Sequence, residues 1–378
     1  MDQAKARKKI VFIDNHEMGI YTYGYDLVDA LSARYDVHVL TEVDGSYRRG
    51  NLDDKITFHN IGKSVMNPIK AAAYINRLKR KMRSIQPDLC MTFTIRPTIY
   101  GNIAARRFRI PVISSITGTG PLFESNSLSY FIARKLYRYV LKKTDRVVFP
   151  NRDDLNEFVK RKYVTAAQAL LIPGSGINVQ QFSPVPLNRN DDKFIFLFIS
   201  RLIKDKGTLE YVEAAKELKI SHPNAECHIV GPLWEGNKRS LTVTREELDA
   251  WIEAKLVYYH GMQNDVRPYI ANANCIVIPS YREGLNNVLQ EGAAMEKPLV
   301  TTNVTGCRDV VDDGVNGFLC KVRSGADLAD KMKKMIDLTP MERETMGKKG
   351  REKMIREFDK KIVIQKYLEA IEEVLHGK

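Results

Sequence analysis

The hydrophobic and polar positions of the chain follow two patterns in turn, short apolar runs typical of strands and longer amphipathic stretches typical of helices. In the first half, the apolar runs predict strands at residues 8–14, 37–41, 56–61, 88–93, 111–117, 146–150 and 170–173. The stretches between them predict helices at residues 21–34, 68–85, 97–108 and 128–143, and one more that Asn151 caps. Strands that alternate with helices predict a parallel, doubly wound sheet.

A turn-rich, polar segment interrupts this alternation at about residues 173–192, and the alternation then starts again. The predicted strands of the second half are residues 194–200, 226–230, 257–260, 275–279, 298–302 and 318–320. Its predicted helices include residues 207–218, 326–336, 340–357 and 360–375. The sequence therefore predicts an α/β protein with two domains, residues 1–183 and 184–357. We expect their common ligand site at the carboxyl ends of the strands.

Composition agrees with two globular domains in a reducing compartment. A chain of 378 residues is too long for one ordinary core. The five cysteines are scattered without any C-x-x-C pair, which favours buried thiols in the cytoplasm over disulfides or a zinc site. The longest apolar run, residues 194–199, is far shorter than the roughly 20 residues of a membrane helix. The N-terminus lacks the apolar core of a signal peptide, so we expect a cytoplasmic protein.

The positive charge is confined to the first half of the chain. Residues 1–185 contain 29 Lys and Arg against 16 Asp and Glu, which accounts for the whole net charge of +13. A one-sided basic domain predicts a polyanionic partner, either acidic lipid head groups or nucleic acid. The predicted helix 128–143 mixes aromatic with basic residues, as helices at membrane surfaces do. Because no nucleic-acid-binding module is recognisable, we expect an anionic inner-membrane surface and no nucleic acid.

Candidate chemistry is concentrated after the strand 275–279. A Glu-Gly turn and a helical pattern follow this strand, which predicts a helix that begins near Gly284. Free backbone N–H groups at a helix start suit an anion such as phosphate. Glu283 precedes this position, and Glu291 follows about two turns later. The two carboxylates suggest hydroxyl recognition on both sides of a phosphate; two solvated surface glutamates are the alternative.

Other strands of the second half end in residues that suit the same ligand. Arg201 directly follows the strand 194–200, and Lys206 comes five residues later near the next helix. Arg can clamp a phosphate with two hydrogen bonds, and Lys supplies a point charge. Gly231, and Gly261 with Met262, end two further strands in turns that allow the backbone to approach a flat base.

Together these segments resemble the retaining glycosyltransferases of family 4. The segments that carry the resemblance are Gly176-Ile177-Asn178, Ser200-Arg201-Leu202 with Lys206-Gly207, Pro279 to Gly284 with Glu291, Ala293 and Pro298, and Asp313-Gly314-Val315-Asn316-Gly317-Phe318. Their order and spacing match over roughly residues 8–375, most strongly over 173–320. The turn Gly118-Thr119-Gly120 makes the chain most similar to the branch that builds bacterial capsular polysaccharide, O-antigen and lipid-linked oligosaccharides.

The resemblance implies a GT-B fold, in which two Rossmann-like domains face each other across a cleft. The C-terminal domain would hold a nucleotide-sugar, and the N-terminal domain, joined by the C-terminal helix at about residues 358–378, would hold the acceptor. The implied donor-binding residues are Arg201 and Lys206 for the diphosphate, backbone near Leu285 and Asn286 beside it, and Glu291 for the ribose. From their positions in the chain, Gly284 is expected to face the diphosphate, and Gly261 and Met262 the base. Glu283 would be the catalytic residue beside the donor sugar. No metal or other cofactor is implied.

The chain departs from the family pattern in its first half. Many members carry a histidine after the strand that here ends at Thr117, where this chain has Gly118 and Thr119. The first loop has only Gly19 where relatives often have two glycines. We expect Gly118, Thr119, Gly19 and His16 on the acceptor or sugar side of the site. A lone loop histidine such as His16 is nevertheless more often structural than catalytic.

The expected function is a metal-independent, retaining hexosyltransferase on the cytoplasmic face of the membrane. It would move a sugar from a nucleotide-sugar, expected to be a UDP-sugar with guanine as the alternative base, to a growing lipid-linked glycan. Retention can follow a same-face displacement, which we favour, or a covalent glycosyl intermediate. A nucleotide-sugar epimerase of the same fold and a basic nucleic-acid-binding protein are the alternative functions. The sequence leaves the sugar, the acceptor, the linkage and the oligomeric state open.

Overall fold

The computed structural model describes residues 7–45, 52, 54–65, 67–118, 123, 128–186, 192–233 and 242–377. The chain divides into two compact units. Unit 1 consists of Met1–Ser175 with Lys361–Lys378, and unit 2 consists of Gly176–Lys360. The division after Ser175 lies earlier in the chain than the predicted division after residue 183.

Hydrogen bonds explain why most of the predicted linker, from Gly176 onward, belongs to unit 2. The chain enters this unit at Ile177, which forms a parallel bridge with Asp359, where the chain leaves it. The backbone N–H of Ile177 donates to the carbonyl of Phe358 at 2.8 Å, and the N–H of Lys360 donates to the carbonyl of Ile177 at 3.0 Å. The entering and leaving segments of unit 2 are therefore held side by side.

Unit 1 contains a seven-stranded parallel sheet in the order β3-β2-β1-β4-β5-β6-β7. Its strands are β1 Lys9–His16, β2 Asp36–Glu42, β3 Thr57–Asn60, β4 Leu89–Phe93, β5 Val112–Ser115, β6 Arg146–Phe149 and β7 Ala169–Leu171. Its helices are α1 Glu17–Gly19, α2 Tyr25–Ser32, α3 Pro68–Ile85, α4 Ile95–Arg106, α5 Leu128–Leu141 and α6 Arg152–Lys160, and α13 Lys360–His376 from the end of the chain. A π-helical turn, Ile20–Gly24, joins α1 to α2.

Both faces of this sheet are covered, as the continuous apolar runs of its strands require. Along β1, Ile10 and Phe12 pack into one cluster with residues of α2 and α13. Val11 and Ile13 point the other way, into a second cluster with residues of α3, α4 and α5. Helix α13 thus supplies part of the core of unit 1, although it follows unit 2 in the sequence.

Unit 2 contains a six-stranded parallel sheet in the order β10-β9-β8-β11-β12-β13. Its strands are β8 Phe194–Ile199, β9 Ala225–Val230, β10 Tyr258–Tyr259, β11 Cys275–Ile278, β12 Leu299–Thr302 and β13 Gly317–Cys320. Its helices are α7 Thr208–Ser221, α8 Arg245–Glu253, α9 Arg267–Asn272, α10 Asn287–Ala294, α11 Gly325–Asp337 and α12 Pro340–Lys353. The first strand of each unit lies inside its sheet, which is the doubly wound topology. The predicted fold class is therefore confirmed.

The structure also shows where the cysteines lie and how apolar the helices are. All five cysteines are free and buried, as predicted. Among the residues that the structure describes, no helix is both long and apolar enough to cross a membrane.

Candidate active site

The loops after β8, β9 and β10 lie against one another at the carboxyl edge of the unit 2 sheet. The N–H of Gly231, after β9, donates to the carbonyl of Gly261, after β10, at 2.8 Å. A Cβ atom on Gly231 would lie 1.9 Å from the carbonyl oxygen of Ser200, after β8. Gly231 also has a φ of +141°, so only glycine allows this approach. The predicted base-binding and diphosphate-binding loops are therefore neighbours.

The loop after β11 lies between the loops after β8 and β12. The N–H of Tyr281 donates to the carbonyl of Asp205 at 2.9 Å, and the N–H of Glu283 donates to the carbonyl of Thr305 at 3.3 Å. A Cβ atom on Gly306 would lie 2.6 Å from the carbonyl oxygen of Glu283. These contacts fix the backbone that carries Glu283.

Lys206 and Glu283 form an ion pair at this edge. The ammonium nitrogen of Lys206 lies 2.6 Å from Oε1 of Glu283, and both side chains are partly buried. Lys206 ends a 3₁₀ turn, and Gly207 follows it with a φ of +76°. A Cβ atom on Gly207 would overlap the carbonyl of Pro279, which brings the turn against the end of β11. The structure thus brings together the predicted catalytic carboxylate and one predicted diphosphate-binding cation.

Asn286 supports the same carboxylate and starts helix α10. Its Nδ2 donates to Oε1 of Glu283 at 3.1 Å, and its Oδ1 accepts from the N–H of Leu289 at 2.9 Å as the helix cap. The predicted helix start near Gly284 is wrong, because Asn286 caps a helix that begins at Asn287. The N–H of Asn286, predicted to face the diphosphate, donates to the carbonyl of Gly306 instead.

Glu291 lies on α10 and is partly buried. Burial raises the pKa of its carboxyl group to about 7, and the positive charge of Lys360 acts in the opposite direction. At neutral pH the group is therefore divided between its protonated and ionised forms, unlike an ordinary surface glutamate. The burial shows that Glu291 is not one of the solvated surface glutamates considered as an alternative.

The remaining predicted donor-binding residues are more open. Arg201 is exposed directly after β8, and Leu285 packs partly buried against the core of unit 2. Gly261 has a φ of +69° with open space beside its Cα, and Met262 is 72% exposed. The exposed side chains of Arg201 and Met262 and the open space at Gly261 leave room for a ligand.

In unit 1 the predicted His16 is the last residue of β1, and the predicted Gly19 ends the short helix α1 that follows. Nδ1 of His16 accepts from the N–H of Met18 at 3.2 Å, and its Nε2 lies 3.1 Å from Asp44. These contacts give His16 a structural role as a helix cap. A Cβ atom on Gly19 would lie 2.4 Å from a carboxylate oxygen of Asp14, whose pKa burial raises to about 7. The sequence pattern gave no signal for Asp14 beyond its place at the end of an apolar strand.

A polar cluster lies at the carboxyl ends of β1 and β4. Nδ2 of Asn15 donates to the hydroxyl of Thr94 at 2.7 Å, and the hydroxyl of Ser64 donates to Oδ1 of Asn15 at 2.6 Å. Thr94 has a φ of +66°, an unfavourable value for threonine. Gly118 follows β5 with a φ of +141°, whereas Thr119 lies outside the described residues.

The arrangement in unit 2 can stabilise negative charge that develops on a leaving group. It places a lysine ammonium, held by a carboxylate, beside several backbone turns at the carboxyl edge of a doubly wound sheet. Within the described ranges, no group of three or more His, Cys, Asp or Glu side chains is arranged to hold a metal ion.

Comparisons with known proteins cover both units. Residues 179–353 match the family model of the glycosyl transferases group 1. Residues 9–151 match the glycosyl transferase 4-like family model.

Similar proteins act on bacterial glycans. The chain is 24% identical to the N,N'-diacetylbacillosaminyl-diphospho-undecaprenol alpha-1,3-N-acetylgalactosaminyltransferase of Campylobacter jejuni, over 97% of this chain and 99% of that protein. It is 24% identical to the UDP-Gal:alpha-D-GlcNAc-diphosphoundecaprenol alpha-1,3-galactosyltransferase of Escherichia coli, over 78% of this chain and 77% of that protein. It is also 26% identical to the capsular polysaccharide biosynthesis glycosyltransferase CapM of Staphylococcus aureus, over 74% of each chain.

Solved structures share the fold over almost the whole chain. HepE of Anabaena, crystallised with UDP and glucose, superposes with a TM-score of 0.81 and 18% identity, over 97% of this chain and 100% of that chain. The sucrose-phosphate synthase of Thermosynechococcus elongatus gives the same TM-score with 20% identity, over 98% of this chain and 100% of that chain. Both units are matched by family models and the fold is shared, so the chain belongs to the GT-B glycosyltransferases, with a glycosyl transferase 4-like unit 1 and a group 1 unit 2.

Proposed function

We propose that this glycosyltransferase is a retaining, metal-independent hexosyltransferase that moves a sugar from a UDP-sugar to a lipid-diphosphate-linked glycan. The ion pair of Lys206 and Glu283 carries the proposal, because it places a fixed cation and a carboxylate at one edge of unit 2. The names of two relatives support the proposed donor and acceptor. The Escherichia coli relative is named for UDP-Gal and a diphosphoundecaprenol acceptor, and the Campylobacter jejuni relative for a diphospho-undecaprenol acceptor.

Unit 2 is proposed to bind the donor. Departure of UDP leaves negative charge on the diphosphate, and Lys206 with Arg201 offsets that charge as it develops. Glu283 holds the Lys206 ammonium 2.6 Å away before any donor arrives, so little reorganisation is needed. Lys206 and Arg201 together neutralise the charge of the diphosphate, which is the role that a divalent metal has in other transferases.

The other predicted residues contact the remaining parts of the donor. Glu291 accepts hydrogen bonds from the ribose hydroxyls, and Gly261 with Met262 frames the base. Backbone at Gly284 and Leu285 lies beside the diphosphate.

Retention is proposed to follow the same-face displacement. The acceptor oxygen bonds to the anomeric carbon as the bond to UDP breaks, and the leaving phosphate oxygen takes the proton of the acceptor hydroxyl. Glu283 stabilises the positive charge on the sugar. Its Oε1 is engaged by both Lys206 and Asn286, which makes the carboxylate a weaker nucleophile than a covalent intermediate requires.

Unit 1 is proposed to bind the acceptor and to dock on the cytoplasmic face of an anionic membrane. On helix α5, Phe131 and Ile132 are 49% and 58% exposed, and Tyr139 is similarly exposed. Lys135 lies over the ring of Phe131 at 5.3 Å, and Lys143 lies over the ring of Tyr139 at 4.6 Å. Exposed apolar side chains among cations are typical of helices that lie in a lipid interface.

The acceptor is proposed to approach the carboxyl edge of unit 1. The residues expected there are His16, Gly19, Gly118 and Thr119, joined by Asp14. His16 is expected to act by capping helix α1, because both of its ring nitrogens have partners.

A thermal-shift screen across UDP-sugars and GDP-sugars tests the donor. A ligand at a hundred times its Kd stabilises the folded protein by about 2.7 kcal/mol, so the true donor raises the melting temperature measurably. The identified donor is then supplied with undecaprenyl-diphosphate-linked glycan in the presence of EDTA. We expect transfer with retained configuration; an isomerised nucleotide-sugar without transfer, or activity abolished by EDTA, would contradict the proposal.

A further inference from the structure

Tyr281 joins three loops at the carboxyl edge of unit 2. Its N–H donates to the carbonyl of Asp205 at 2.9 Å, in the turn after β8. Its hydroxyl donates to Oε1 of Glu210, in the first turns of α7, at 2.7 Å. The guanidinium group of Arg323, in the loop after β13, lies 4.7 Å from the centre of its ring. Tyr281 itself belongs to the loop after β11.

We propose that Tyr281 is a positioning residue that sets Lys206 relative to Glu283. The proposal rests on the proposed function, because it takes these two residues to act on the donor. Asp205 and Glu210 lie on either side of Lys206 in the sequence, and Tyr281 comes two residues before Glu283. The two hydrogen bonds of Tyr281 therefore tie the segment that carries the lysine to the loop that carries the carboxylate.

The ion pair of Lys206 and Glu283 joins only the ends of two side chains. Because a lysine side chain is long and flexible, this contact by itself does not fix the backbone segments that carry the two residues. A hydrogen bond from a phenol to a carboxylate is short and strong because the acceptor is charged. Burial and the neighbouring Glu210 raise the pKa of Tyr281 to about 12, so its hydroxyl keeps the proton that it donates.

Glu210 depends on this hydrogen bond. Its second carboxylate oxygen, Oε2, is buried and has no hydrogen-bond partner. Without the Tyr281 hydroxyl, the carboxylate would lose its contact at Oε1 as well, and a buried carboxylate without partners is unfavourable. The start of α7 would then shift to let Glu210 reach water, and Lys206 would move with it.

The test variant is Tyr281→Phe, which keeps the ring and its contact with Arg323 but removes the donated hydrogen bond. We expect the KM for the UDP-sugar to rise about tenfold, since loss of a hydrogen bond to a charged group has an effect of this size. Glu210→Gln keeps an acceptor oxygen for the phenol and is expected to stay near the wild-type KM. The double variant is expected to be no worse than Tyr281→Phe, because both changes act on one contact.

Tyr35→Phe is the matched control. Tyr35 also donates from its hydroxyl to a carboxylate, that of Glu372, but both residues lie in unit 1. The same chemical change there is expected to leave the donor KM unchanged. Melting temperatures of all variants show whether each one is folded at the assay temperature.

Hydrogen exchange gives a readout that needs no substrate. The N–H groups of Lys206 and Gly207 donate to Ile203 and Lys204 at 3.0 and 2.8 Å. We expect their exchange to be about tenfold faster in Tyr281→Phe and unchanged in Tyr35→Phe. A wild-type KM in Tyr281→Phe overturns the proposal. If the wild-type protein turns over no UDP-sugar, the proposed donor is wrong. Hydrogen exchange of Lys206 and Gly207 in Tyr281→Phe then tests the positioning role: faster exchange supports it, and unchanged exchange overturns it.

Discussion

Nζ of Lys206 lies 2.6 Å from Oε1 of Glu283, although 77 positions separate the two residues in the chain. Each is the partner of the other in the free protein. Removing one therefore changes the charge around the other, and the two substitutions are expected to differ in their effect on binding and on turnover.

Glu283→Gln is expected to lower kcat about 10²- to 10³-fold, since loss of one preorganised electrostatic group has an effect of this size. UDP binding is expected to stay within about threefold of wild type, because Lys206 is then available to the diphosphate alone. Calorimetry with UDP and initial rates with the UDP-sugar measure the two effects. Glu217→Gln removes a lysine partner elsewhere in unit 2 and is the matched control. Near wild-type turnover in Glu283→Gln would contradict the assignment of the catalytic residue.

Lys206→Ala is expected to weaken UDP binding about tenfold or more and also to lower kcat, because the cation acts on both the bound and the departing diphosphate. The neighbouring carboxylate adds to the effect, since Glu283 is left without its ion pair near an anionic ligand. Lys333→Ala, which breaks the pair with Glu217, is the control. Equal UDP affinity in Lys206→Ala and wild type would exclude the proposed role.

Because the pKa of Glu291 is raised, we expect donor binding to depend on pH. Burial raises its pKa from 4.5 to about 7, so the carboxylate that accepts the ribose hydroxyls forms as pH rises through 7. UDP affinity is expected to increase up to about tenfold from pH 6 to pH 8, following the ionised fraction. UDP itself titrates in the same pH range. Glu291→Gln is therefore measured in identical buffers as the reference, and the difference in UDP affinity between the two proteins tests the prediction.

The raised pKa of Glu291 has the opposite effect on the stability of the fold, which it lowers as pH rises. Between its ordinary and raised pKa values, the folded protein binds more protons at Glu291 than the unfolded chain does. The contribution of this group to the free energy of unfolding therefore falls as pH rises from 4.5 to about 7. Glu291→Gln removes this contribution, so its stability relative to wild type is expected to improve towards pH 8 in denaturant titrations.

Membrane docking is tested by Phe131→Ser combined with Ile132→Ser. Both side chains are exposed on α5, so the substitutions are expected to leave the melting temperature nearly unchanged. Sedimentation with phosphatidylglycerol-containing vesicles is expected to drop about tenfold, because apolar area no longer enters the interface. Ile220→Ser removes an exposed isoleucine of unit 2 as the control. Equal sedimentation of the α5 variant and wild type would contradict the proposed surface.

The periodicity of the sequence predicted the elements that have strong local signals. Helix α3 has the predicted bounds 68–85, because Asn67 caps the N–H groups of Ile69 and Lys70 and Gln86 ends it in a left-handed conformation. Helix α8 is not among the predicted helices, although its capping box of Thr244 and Glu247 is visible in the sequence. The predicted start of α10 near Gly284 is too early, because the side chain of Asn286 caps the helix at Asn287.

Contacts between distant loops could not be predicted from local patterns. The sequence indicated that Lys206 and Glu283 face one ligand, but not that they form an ion pair. The hydrogen bond of Tyr281 to Glu210 and the burial of Asp14 depend on tertiary packing at sheet edges, which has no periodic signature. The family resemblance supplied the expected roles of the residues, and the structure supplied their partners.

The return of α13 to unit 1 has a consequence for synthesis. Val363, Tyr367 and Ile371 of this helix are buried in the core of unit 1, and all of unit 2 precedes them in the sequence. Unit 2 is a continuous segment whose two ends are already hydrogen bonded to each other. As the chain leaves the ribosome, unit 2 can complete its fold while unit 1 still lacks a helix. The N-terminal unit, though made first, is thus the last to reach its full stability.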